Sequence, residues 1–62
     1  MTITKAELLS DIESTISTAT TNLNSVLNTG SISTEADKNK AYEYIFTINA
    51  MTERKTWIEA NL

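Results

Sequence analysis

The 62-residue chain has no cysteine, no histidine and no proline, and a single glycine. Each gap excludes something. Without cysteine there is no disulfide, no thiolate nucleophile and no clue to redox compartment. Without histidine the commonest general base and metal ligand is missing. Carboxylates remain as metal ligands, but no clustered set of them occurs, so no metal and no cofactor is expected. Neither a Cys–His nor a Ser–His pair can be assembled, and the inventory speaks against an enzyme. No apolar run approaches the roughly 20 residues that span a bilayer. The N-terminus lacks a charged segment followed by an apolar stretch, so no signal peptide and no membrane partner are expected, and the cytosol is the expected compartment. Positive charge is sparse too. Lys5, Lys38, Lys40, Arg54 and Lys55 are scattered, and the net charge is −3. Duplex nucleic acid binders gather Lys and Arg on one face to neutralise phosphates, and no such face exists here.

A chain whose only breaker, Gly30, lies near its middle reads as two helices and one turn. The first helix announces its start at Thr4-Lys5-Ala6-Glu7, a capping-box sequence, with Ile3 and Leu8 at the hydrophobic-staple positions. Glu7 and Asp11 then lie near the positive end of the helix dipole. Leu9, Ile12, Ile16, Ala19, Leu23 and Val26 follow at alternating steps of three and four, the seam of a coiled-coil-like packing. Leu8 and Leu27 widen this stripe. The helix is expected to stop near Asn28, with Asn28-Thr29-Gly30 as the turn and Gly30 taking positive φ cheaply.

The second helix begins near Ser33 or Thr34. With Thr34 as N-cap, Glu35 and Asp37 fall in the first turn, where the dipole favours acids. Its stripe is Ala41, Tyr44, Ile45, Ile48, Met51, Ile58 and Leu62, interrupted by Lys55. The predicted architecture is all-α: one domain spanning residues 1–62, an antiparallel hairpin with helices at about 4–28 and 34–61.

Such a hairpin is too small to be comfortable alone. Below roughly 70–80 residues a core rarely supplies more than about 3–5 kcal/mol without staples. The sequence also carries a second apolar line on helix two: Tyr42, Phe46, Ala50 and Trp57. It is rotated far from the Tyr44–Ile48–Met51 stripe, and one partner helix covers one stripe only. Helix one supplies a matching face, with no charged residue from Ser14 to Thr34. A homo-oligomeric helical bundle is therefore expected, with a neutral solvated Ser/Thr face as the plainer alternative.

Candidate ligand contacts fall on helix two. Glu53 and Trp57 are four residues apart, hence neighbours on one face, and Phe46 lies on nearly the same line. Trp57 or Phe46 can stack a planar ring while Glu53 accepts from a base or ribose; the bland reading is an interface rim with Trp57 as its anchor. Lys38 and Tyr42 can hold a phosphate and a ring, or make a plain surface contact. Arg54 and Lys55 sit near the helix C-terminus, where cations are favoured anyway, and as phosphate ligands they need symmetry mates beside them.

The segment Met51-Thr52-Glu53-Arg54-Lys55-Thr56-Trp57 resembles an apolar-x-Glu-x-x-x-Trp segment in the second helix of a hairpin domain shared by phage anti-defence proteins. Those proteins act as sponges for cyclic nucleotide or cyclic ADP-ribose immune signals and bind them between subunits of homo-oligomers. The resemblance covers about a dozen residues. It departs from the usual pattern at Arg54, where the family has Ala, and only Met1–Thr4 stand ahead of the hairpin, where many members carry more. What it implies is a non-enzymatic sink for a signalling nucleotide in the cytosol of an infected host, with Glu53 and Trp57 matching the motif. In length and architecture the chain is also similar to the dimerising hairpins that control plasmid copy number, but those act on RNA, which the acidic charge here disfavours. The competing expectation is a structural or adaptor hairpin, docking Phe46 and Trp57 onto a partner protein and modulating it.

Overall fold

The structure is a computed structural model and describes residues 2–62; Met1 of the expected domain lies outside them. Two helices, α1 (Lys5–Val26) and α2 (Glu35–Asn61), pack against each other as an antiparallel hairpin, and no strand occurs among the described residues. The molecule is a rod of 44 × 18 × 18 Å with a radius of gyration of 14.2 Å. A globule of this length would have a radius of about 11 Å. A two-helix rod has little interior, and among the described residues only Ile12, Ala19 and Ala41 are buried.

Local chemistry fixes both helix starts. Thr4 is extended, and its hydroxyl accepts from the Glu7 amide at 3.1 Å. The Glu7 carboxylate in turn accepts the Thr4 hydroxyl proton at 3.3 Å, so the capping box closes through side chains and not through the Thr4 amide. One hydroxyl donates and accepts at once, which permits this. Ile3 stays 61% exposed, so the staple leaves most of it in water. Thr34 repeats the cap for α2, accepting from the Asp37 amide at 3.1 Å.

The end of α1 comes two residues earlier than the sequence suggests. Leu27 is already extended, and Asn28 and Ser31 pair as an isolated antiparallel bridge through reciprocal amide–carbonyl bonds of 2.7 and 3.1 Å. The two residues between them, Thr29 (φ 50°) and Gly30 (φ 79°), both lie in the left-handed region. That is the geometry of a two-residue type I′ turn, normally built from Asn and Gly.

The packing follows the heptads. Leu9, Ile16, Leu23 and Val26 are half-buried beside Ile12 and Ala19, and Tyr44, Ile48, Met51 and Ile58 answer them from α2. Ile45 is 42% and Leu62 59% exposed, so both sit outside the buried seam. Lys55 is half-buried at a seam spacing, and its Nζ lies 3.5 Å from Glu13 Oε1 on α1. The apparent interruption is a long aliphatic stem covering the seam with its charge at the rim.

Hydroxyls on both helices turn inward to the backbone. Thr15, Thr47, Thr52 and Thr56 each donate to the carbonyl four residues back, at 2.7–3.0 Å, and Ser25 to that of Asn22 at 2.6 Å. No buried side-chain polar atom lacks a partner among the described residues.

Candidate functional site: the outer face of α2

Successive turns of α2 carry Tyr42, Phe46, Ala50, Glu53 and Trp57 along one line. At 100° per residue this line stands opposite the Ala41–Ile48–Lys55 seam, because α1 occupies the other side. Exposure bears this out: Tyr42 is 61%, Phe46 75% and Trp57 59% exposed. They include the protein's one tryptophan and its one phenylalanine, and none of the three belongs to the hairpin core.

The sequence-predicted ligand residues divide into two groups. At 1.5 Å rise per residue, Lys38 and Trp57 stand about 28 Å apart, and Phe46 and Trp57 about 16 Å. No small ligand reaches from one end to the other within a single subunit. At the Thr34 end, Lys38 is held in an ion pair with Glu35 one turn earlier, and Tyr42 lies one turn further on. At the other end, Glu53, Arg54 and Trp57 come together.

Trp57 forms a ridge between two open grooves. On one side, a groove of about 530 Å³ runs between the helices and is lined by Asp11, Ile12, Met51, Arg54, Trp57 and Ile58, with Leu8 and Thr15 at its edges. On the other, a shallower groove of about 450 Å³ along α2 is lined by Glu53, Thr56, Trp57, Ala60 and neighbouring polar side chains. Arg54 has no carboxylate partner among the described residues; its Nη1 lies 3.9 Å from the Met51 sulfur, a weak contact. A guanidinium free to take an anion, an indole face and a carboxylate acceptor therefore share one end of the rod. Lys55, by contrast, is engaged with Glu13 across the seam.

One groove was not anticipated. Ser14, Thr15, Thr18 and Asn22 of α1 face Tyr44 and Thr47 of α2 around a concavity of about 340 Å³ over Ala19. The charge-free run from Ser14 to Thr34 was its signal in the sequence. It offers neutral donors and acceptors only, so it does not attract an anion by charge.

Among the described residues, no group of three or more acidic side chains is placed to hold a metal ion, and no helix is long and apolar enough to cross a membrane. No family model, no curated protein and no solved structure matches the chain.

Proposed function

We propose that the chain is a non-enzymatic, phage-type binding protein. It sequesters a small nucleotide immune signal, of the cyclic nucleotide or cyclic ADP-ribose kind, at subunit interfaces of a homo-oligomer. The observation that carries this reading is the exposed Trp57 flanked by unpaired Arg54 on one side and Glu53 on the other. Indole faces stack any base, at about 1–3 kcal/mol per base. A guanidinium grips phosphate oxygens in a two-point fork. A carboxylate accepts from base N–H or ribose O–H groups. The separation of Lys38 and Tyr42 from this cluster fits a site completed by a second subunit.

The adaptor reading has one observation in its favour. Phe46, 75% exposed, lies too far from Trp57 to share a small ligand with it. A line of aromatic anchors at helical spacing also suits a groove on another protein.

Native mass spectrometry, with and without a pool of cyclic di- and trinucleotides and cyclic ADP-ribose isomers, tests the proposal. An oligomer that gains discrete nucleotide masses, and loses them in Trp57→Ala and Arg54→Ala, is the expected result. An oligomer that gains none transfers the weight to the adaptor, and a folded monomer without ligand sinks both parts of the proposal.

A further inference from the structure

We infer that two copies of the chain pair through the outer faces of α2, antiparallel, with the two-fold axis at Asn49–Ala50. The inference deepens the self-assembly on which the proposed function rests, because it specifies which residues of a second copy complete the Trp57 end.

The exposed line is symmetric in spacing about its middle. Tyr42 and Trp57 are equidistant from a point between Asn49 and Ala50, and so are Phe46 and Glu53. An isologous contact requires this: the same patch on both subunits, with each residue meeting its mirror position. At the centre stands Ala50, the one small side chain on a line of large ones, where two helices crossing about 8–10 Å apart need room. Tyr42 of one copy then packs beside Trp57 of the other, twice per pair.

Charge fixes the direction. Glu43 and Arg54 are eleven residues apart, hence on the same flank of the line, and their midpoint falls within a residue of Asn49. In an antiparallel pair like flanks meet, so Glu43 of each copy comes within side-chain reach of Arg54 of the other, giving two symmetric ion pairs. A parallel pair instead brings unlike flanks together, so Glu43 and Arg54 lose each other as partners, and near the centre of the line it sets Glu53 on Glu53. With five N–H donors, Arg54 is oriented by the carboxylate along one edge and keeps the rest for an anion.

The exposed rings supply much of the area that a pair needs. Aromatic side chains bury about 150–250 Å² each, so the six partly exposed rings of a pair supply on the order of 800 Å² of a contact that needs about 1,200–2,000 Å² in total. The helix stems over some 28 Å of α2 contribute more. The same register sets Tyr42 of one copy against Trp57 of the other, with Lys38 opposite Asn61 one turn further on. The two halves of the ligand set, separated within one subunit, meet across the interface.

The chain has no native cysteine, which makes disulfide trapping clean. Under mild oxidation Ala50→Cys should link to itself, being next to the axis. Glu53→Cys should not, because its mirror copy stands about 10 Å further along the helix, beyond the roughly 7 Å limit between bridged Cα atoms. Linking of both variants means a parallel pair, and failure of Ala50→Cys to link removes the axis; either result overturns the inference. Independently, sedimentation equilibrium should show Glu43→Arg and Arg54→Glu each weakening the pair by about tenfold, with the double variant within about threefold of the parent. A double variant as weak as the singles also overturns it. These readings are separable from the ligand question. Nucleotide-loaded oligomers without the Ala50→Cys link keep the sequestering function and discard this register, and a trapped pair that takes up no nucleotide does the reverse.

Discussion

The Lys5 ammonium donates to the main-chain oxygen of Leu62 at 2.9 Å and to the Glu59 carbonyl at 3.3 Å, so the first residue of α1 caps the last turn of α2. That turn has no basic residue of its own. Its terminal carbonyls carry the negative end of the helix dipole, and the hairpin brings the compensating cation from the opposite end of the sequence. Lys5→Ala should therefore destabilise the fold by about 0.3–1 kcal/mol at low ionic strength. The loss should shrink in 1 M salt, where screening acts within about 3 Å. Urea denaturation of both proteins at the two salt concentrations checks this; a salt-independent difference would point to lost packing instead.

The turn makes a second prediction, with opposite signs at adjacent positions. Thr29 is β-branched and held at φ 50°, where such side chains are rare. Thr29→Asn should stabilise by about 0.5–1 kcal/mol, since Asn tolerates this region and is the residue type I′ turns prefer. Gly30→Ala should cost about 1 kcal/mol. That cost is conformational and not steric, because a Cβ at Gly30 meets nothing within 4 Å. Thermal melts of the two variants should move in opposite directions.

Among the described residues Ile12 is the one large side chain that is buried, at 7% exposure. Ile12→Asp sets an unpaired carboxylate in the seam, and the remaining core is too small to absorb that cost. The expected outcome is loss of helical circular dichroism at 25 °C. A fully helical variant with an unchanged melting curve would mean that the seam is wrongly assigned.

Lys55 allows the reverse manipulation. Its pair with Glu13 is 3.5 Å long, between side chains that are 37% and 58% exposed, and such pairs contribute about 0–1 kcal/mol. Lys55→Met keeps the stem and adds apolar contact at the seam, so the urea midpoint should rise. Glu13→Ala should leave it within about 0.5 kcal/mol of the parent.

The heptad steps in α1 told where the buried face lies, because every residue from Leu9 to Val26 at those steps is at least half-buried. Lys55 was harder to place, since a charge counts against an apolar stripe until its four-carbon stem is considered. Gly30 declared the turn but Thr29 did not: nothing in a threonine predicts positive φ, and only the Asn28–Ser31 bridge requires it. The angular offset of Tyr42, Phe46 and Trp57 revealed a second apolar face. The partition of the ligand residues into two ends about 28 Å apart needed α2 to run unbroken from Glu35 to Asn61.

The threonines that bond back to their own helix change how the rod meets water. Once Thr15, Thr47, Thr52 and Thr56 direct their hydroxyls to carbonyls of the preceding turn, those protons no longer need a solvent partner. The oxygens keep their acceptor lone pairs, but with the proton engaged each of these residues asks less of water than a free hydroxyl does. A mean hydropathy of −0.22 therefore overstates the wettability of the surface. A wall rich in Thr can be dried by an approaching helix with less dehydration cost than its composition implies.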